Sequence, residues 1–352
     1  MNAQPAQAPA PRKPNVFLVG APKAGTTSLA RVLAAHPDFF MSPIKEPCHF
    51  CTDVRQQMVP WFEGQRQMDL AAYLDAPVRE PVHFHLVHSA ADYARLYEGA
   101  GDQPLVGECS TQYLSSHDAA RNIAAYAPDA RIIMIFREPV ERILSHHAME
   151  VSQGRTVEPL LRLVEKERAL GAAAHWGNSC FYLGTSRYLP QLRRYLAHFP
   201  TSQVCVLSFE RLCEDPNGTL RHLFDFLGLP LDSAPAELPR ANGARTPRFP
   251  RANRLLRASG LRPWLGRQAR AYLPEALRQR LAASFFPSGK PRVPDDVRAR
   301  LEAIVREEGL REEWLQALAL GGAPWAGVLA AREGAPQTAG EDDENLSRAR
   351  AH

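Results

Sequence analysis

The segment Gly20-Ala-Pro-Lys-Ala-Gly25-Thr26-Thr27 constrains the fold of this chain more than any other feature. It has the G-x-x-x-x-G frame of a phosphate-binding loop. Before it runs the apolar stretch Asn15 to Gly20 (NVFLVG). After it, Thr26 to His36 places Leu29, Val32 and Leu33 on one helical face. Strand, glycine loop and helix in that order turn backbone N–H groups and the positive helix end toward one anion. Gly25 lets the backbone come close to it, while Thr26 and Thr27 add hydroxyl donors.

The same rhythm recurs downstream. Leu105 to Gly107 begins a further short strand, Asp118 to Tyr126 reads as a helix, and Arg131 to Phe136 (RIIMIF) is apolar enough to be buried on both faces. Pro139 opens the next helix, through Ser145 toward Val151, where its missing N–H does no harm. Thr185 to His198, Gln203 to Leu207 and Pro216 to Leu227 continue as helix, strand and helix, the last stopped by Gly228. The alternation predicts an α/β fold with a central parallel sheet flanked by helices. Beyond Leu229 follow a Pro- and Arg-rich connection, one or two helices, the loop FPSGKPRVP, and a helix from Asp295 to about Glu308. The folded domain is expected to span residues 15–332. The Pro-rich lead-in 1–14 and the polar tail 333–352 are expected to be disordered.

Composition excludes several classes. At 45% hydrophobic residues, the 352-residue chain can bury an ordinary globular core. No apolar run approaches the roughly 20 residues that cross a bilayer, and the first residues lack the core of a secretory signal. Six scattered cysteines do not form a disulfide framework, so a cytoplasmic protein with reduced thiols is expected. Cys48, His49 and Cys51 invite a zinc reading, yet no second ligand pair follows at finger-like spacing, and no metal is expected. From Arg240 to Arg300 there are 15 Arg and Lys against three acids, a basic stretch suited to an anion or to a solvated surface. As a nucleic-acid interface it lacks interleaved aromatics and a recognised fold.

The loop departs from that of the nucleotide triphosphatases. They need Lys directly after the second glycine and then Ser or Thr for magnesium. Here that place is Thr26, the loop's lysine is Lys23, and the later buried strand ends in Phe136-Arg137-Glu138 instead of a magnesium-binding Asp. A kinase or ATPase with an unusual loop therefore stands as the alternative. Pro22-Lys23-Ala24-Gly25-Thr26-Thr27 resembles the P-K-x-G-T-[ST] loop of the sulfotransferases that use 3′-phosphoadenosine 5′-phosphosulfate (PAPS). The strand ending in Arg137 and the Pro139 helix carrying Ser145 match that family's 3′-phosphate signature, spacing included. An Arg at a strand's carboxyl edge and a Ser two helical turns on can meet one oxyanion, a physical reason for the same pairing.

The resemblance covers roughly Asn15 to Leu229. It is closest to the branch holding heparan sulfate and many bacterial sulfotransferases, through His36-Pro-Asp, Lys45-Glu46-Pro47 and Gly107-Glu108-x-Ser110-x-x-Tyr113. It implies a P-loop-like sulfotransferase fold and transfer of a sulfuryl group from PAPS to a hydroxyl or amine of a small-molecule, carbohydrate or lipid acceptor, with no metal. Nucleotide binding would fall to Lys23, Ala24, Gly25, Thr26, Thr27, Arg137, Ser145 and Tyr188, with Lys290 and Arg292 in a late basic loop. Catalysis would fall to Lys23, beside the leaving oxygen, and to Glu46 as base. His49 is a rival base, Glu108 comes next, and His83, His85 and His88 stay unassigned.

Overall fold

A computed structural model describes residues 12–62, 68–230, 247–259, 272–286 and 293–324, with a few single positions between 261 and 269 and between 326 and 329. The lead-in up to residue 11, the tail from 330 on, Lys290, Arg292 and much of the basic 240–300 stretch lie outside the described residues.

Among the described residues five strands form one wholly parallel sheet: β1 (Val16–Gly20), β2 (Phe39–Met41), β3 (Leu105–Cys109), β4 (Arg131–Phe136) and β5 (Val204–Ser208), in the spatial order β2-β3-β1-β4-β5. Strands β1, β3 and β5 are buried at every position, and β4 at all but its first, as expected of a sheet covered on both faces. Helices α1 (Thr26–Ala34), α2 (Thr52–Phe62), α3 (Leu70–Asp75), α4 (Ala90–Arg95), α5 (Ala119–Tyr126) and α6 (Pro139–Ser152) lie in the crossovers between successive strands. Most expected elements stand within a few residues of their sequence limits. The helix expected from Thr185 begins instead at Tyr188, after a tight turn over Gly184–Ser186.

Local chemistry explains the boundaries. Glu138 caps α6 through its carboxylate, which accepts the Glu141 N–H at 2.8 Å, and Pro139 takes the first helical position. Asp215 and Pro216 do the same for the helix Pro216–Leu227, which ends where Gly228 turns left-handed at φ 65°. A second apolar cluster lies beside the sheet's own core. In it Val140 and Ile143 of α6 meet Leu163, Val164, Leu301, Ile304 and Val305. This cluster docks the C-terminal helix Asp295–Glu307 onto α6, and Arg168 reinforces it by pairing with Glu307 and Glu308. Among the described residues no helix is long and apolar enough to cross a membrane.

Candidate active site

The glycine loop leaves the carboxyl end of β1, in the crevice where parallel sheets hold their ligands. The Ala21 N–H donates to the Ile135 carbonyl at 2.7 Å, tying the loop to the neighbouring strand. Two loop residues have left-handed backbones, Lys23 at φ 69° and Gly25 at φ 93°. At Gly25 only glycine fits: an added Cβ would come within 2.9 Å of the Phe209 ring. Helix α1 starts with no side-chain cap and no acid in its first turn. Nothing on the protein thus competes with an anion for its positive end. Among the described residues Lys23 makes no ion pair, and its pKa is lowered by burial and then by Arg137 and Lys45, while Glu46 and Glu150 pull the other way.

Arg137 meets the loop from β4. It is 7% exposed, donates through Nη1 to the Lys23 carbonyl at 3.1 Å, and lies over the Phe209 ring at 4.6 Å. Its Nη2 reaches Glu141 only weakly, at 3.4 Å, and among the described residues its buried Nε has no hydrogen-bond partner. A guanidinium with a free edge facing a phosphate loop is suited to a second oxyanion. Ser145 is half-buried on α6, two turns beyond Arg137. Tyr188 sits differently from a ligand contact: it is fully buried, stacked on Phe136 at 4.5 Å, and its hydroxyl donates to the Arg137 carbonyl at 2.9 Å. It sets the backbone that carries Arg137. Sequence reading missed Arg298, which reaches over from the C-terminal helix to Glu141 at 2.8 Å and adds a cation to this end of the site.

Glu46 is placed by the backbone that follows β2. Its N–H donates to the Cys109 carbonyl at 2.7 Å, and its own backbone is left-handed at φ 65°. Lys45 Nζ lies 2.5 Å from its Oε1, Thr111 donates to the same oxygen at 3.3 Å, and Gln112 donates to Oε2 at 3.1 Å. Burial pushes this carboxyl up. The charge of Lys45, then His83, then the hydrogen bonds from Lys45 and Gln112 outweigh it, so Glu46 titrates below the usual carboxylate range. Gln112 also accepts from the Cys48 thiol at 3.3 Å, which fixes its amide.

The rival bases separate. His49 stacks on Tyr93 at 4.3 Å, and its Nδ1 lies 3.0 Å from the Val87 carbonyl, so packing holds its ring in a fixed pose. Glu108 is 1% exposed, and among the described residues no group meets either carboxyl oxygen in hydrogen-bond geometry. Burial pushes it up to about 8, against a smaller opposing effect of the Tyr113 and Tyr93 hydroxyls. An acceptor hydroxyl cannot reach so enclosed a group. His83, in contrast, joins the site: the 82–87 segment runs alongside 43–47, with Lys45 N–H donating to the Val82 carbonyl at 2.8 Å. Burial lowers His83, and the charges of Glu46, Lys45, Lys23 and Arg31 all bear on it. Burial lowers His85 and His88, and after it the charge of His88 acts on His85 and that of Arg55 on His88. Among the described residues no three metal-ligating side chains cluster, and Cys51 donates its thiol to the Cys48 carbonyl at 3.5 Å.

Over residues 14–233 the chain matches the model described as Sulfotransferase family. Among curated relatives, heparan sulfate glucosamine 3-O-sulfotransferase 3A1 of Mus musculus is 28% identical over 217 residues, covering 61% of this chain and 46% of the relative. Carbohydrate sulfotransferase 15 of Homo sapiens is 26% identical over 307 residues, 75% of this chain and 54% of the relative. The chain thus spans about half the length of the curated relatives it matches. A crystal structure of a sulfotransferase from Alicyclobacillus acidocaldarius superposes with a TM-score of 0.52 at 26% identity, over 76% of this chain and 99% of that one. With its glycine loop, its Arg137 strand end and this match over more than half its length, the chain belongs to the sulfotransferase family.

Proposed function

We propose that the protein transfers a sulfuryl group from PAPS to an acceptor hydroxyl. The observation that carries this is the convergence on Lys23: its carbonyl accepts from Arg137, and the charges of both Arg137 and Glu46 act on its ammonium. Loop amides, Lys23 and Arg137 form two anion subsites, as a nucleotide with a 5′-phosphosulfate and a 3′-phosphate requires. Glu46, already ionised, faces the junction as proton acceptor.

The transfer balances without an added reactant. The acceptor oxygen forms a bond to sulfur while the bond from sulfur to the bridging phosphate oxygen breaks. Glu46 takes the acceptor proton, and the electron pair leaves on adenosine 3′,5′-bisphosphate, where Lys23 and the loop amides meet the new charge. Lys45 and Gln112 hold the Glu46 carboxylate still, which limits the motion needed at the moment of transfer. His83 lies within electrostatic range of Glu46 and lends it positive charge whenever it is protonated. The relatives' names place carbohydrate hydroxyls among the acceptors to test.

The test is transfer from radiolabelled PAPS to a panel of alcohols and glycans, with EDTA present and absent. Adenosine 3′,5′-bisphosphate should form in step with a sulfated product, and chelation should leave the rate unchanged. Magnesium-dependent ATP turnover with no use of PAPS would overturn the reading.

A further inference from the structure

A cavity of about 870 Å³ opens beside the reacting end, between the outer side of α1, the edge strand β2 and the 76–83 segment. Its volume is that of a drug-sized ligand site. Lys45, the partner of Glu46, and His83 both line it. The rest of the lining is mostly apolar, with Ala30, Ala34, Phe40, Met41, Val82 and Leu96, and the polar groups of Ser42, Arg79 and Glu98 among them are engaged with the Ile44 and Leu74 carbonyls and with one another. A sugar seated there would regain few partners for its hydroxyls, at about 1–3 kcal/mol for each left unpaired. An alkyl or ring system would gain by the same burial.

The charges in the lining favour one further feature. Arg79 is engaged, through the Leu74 carbonyl at 2.7 Å and Glu98 at 2.6 Å. Arg31 lines the same cavity from the exposed side of α1, one helical turn beyond Thr27, and makes no ion pair among the described residues. It shares that lining with Lys45 and His83. An unpaired guanidinium at the edge of an apolar cavity matches a carboxylate.

From this we infer that the acceptor is an acidic amphiphile, an alcohol whose apolar body fills the α1–β2 cavity and whose anionic group pairs with Arg31. The inference rests on the sulfotransfer reading and names the substrate class for it. The hydroxyl then lies at the Lys45 and His83 end, where Glu46 can take its proton.

Three probes separate the features: 2-hydroxydodecanoate, uncharged 1,2-dodecanediol, and a glucosamine-containing oligosaccharide, each offered with PAPS. The hydroxy acid should be sulfated with kcat/KM about tenfold or more above the other two. Ala34→Trp, at an exposed position lining the cavity, should raise its KM about tenfold while leaving the Kd for adenosine 3′,5′-bisphosphate unchanged. Arg31→Ala should bring the acid and the diol to similar kcat/KM. Preference for the oligosaccharide, insensitivity to Ala34→Trp, or failure of both dodecyl probes in a protein that binds the bisphosphate would each overturn the inference and leave the sulfotransfer reading standing. Failure to bind the bisphosphate would remove the reading beneath it, and the inference with it.

Discussion

Replacing Glu46 by Gln keeps the shape of the side chain and removes its charge, so it separates proton transfer from binding. Gln112, at 3.1 Å, can still donate to the new amide's oxygen, and the Thr111 hydroxyl can accept from its nitrogen, which then faces Lys45. A positioned base contributes about 10² to 10⁴ in rate, or roughly 3 to 5 kcal/mol of barrier, and kcat should fall by that factor. Donor affinity should change little, because Glu46 acts on the acceptor. Stability should fall as well. Lys45 and Glu46 are 14% and 11% exposed and 2.5 Å apart, so the variant strands a nearly buried ammonium. Breaking such a pair costs about 3 kcal/mol, the low end for buried pairs, because both groups keep some water.

The pH dependence of that loss has a definite sign. The folded pKa of Glu46 lies below its ordinary value, so its contribution is complete above the usual carboxylate range and is lost as pH falls through the lowered pKa. Wild type and Glu46→Gln should thus differ most in urea melts at neutral pH and converge in strong acid. Single-turnover rates with PAPS and a sulfated-product readout measure the catalytic part. Near-native turnover in Glu46→Gln would refute the assignment of the base, and His83 would be the next group to replace.

Three further outcomes follow from the same geometry. Arg137→Ala removes a guanidinium with a free buried Nε, and calorimetry should show adenosine 3′,5′-bisphosphate affinity reduced by about 2 to 4 kcal/mol with AMP affinity nearly unchanged. Lys23→Ala should lower both PAPS affinity and kcat, because one ammonium meets the donor before transfer and the leaving oxygen during it. In wild type, with the Lys23 pKa lowered by burial and by Arg137, donor binding should weaken with rising pH sooner than an ordinary lysine would allow, as a titration of Kd against pH would show. Glu108, pushed up to about 8 by burial, contributes stability that is present below the ordinary carboxylate pKa and lost as pH rises through about 8. Glu108→Gln should therefore gain on wild type in thermal melts between pH 6 and pH 9, and an unchanged difference would contradict a neutral buried acid.

The sequence disclosed the parts whose signals are local. The buried runs NVFLVG and RIIMIF, the Gly25 turn and the Pro139 and Pro216 helix starts each write their structure into a few neighbouring residues. The three-residue edge strand Phe39–Met41 and the short helices Leu70–Asp75 and Ala90–Arg95 are too brief to show a period, and pairing or packing defines them instead. The same division holds in the site. Lys23 and Arg137 sit inside patterned segments, whereas His83 arrives through a bridge from Ile44 to Val82, 38 residues apart in sequence and with no local signature. Arg298 depends on the docking of a C-terminal helix through Leu301, Ile304 and Val305. Gln112 had a usable signal: it follows the carboxyl end of β3, where polar side chains in a parallel sheet face the crevice. Tyr188 lies in a motif, yet only the fold shows that its hydroxyl donates to the backbone of Arg137.

The account depends on two anion subsites serving one nucleotide, and a calorimetric comparison of adenosine 3′,5′-bisphosphate, AMP and ATP with magnesium on the wild-type protein tests it most directly. The geometry predicts that the bisphosphate binds about 30-fold or more tighter than AMP, the worth of roughly 2 kcal/mol at Arg137, and tighter than ATP. Equal affinity for the bisphosphate and AMP, or a preference for magnesium ATP, would contradict it.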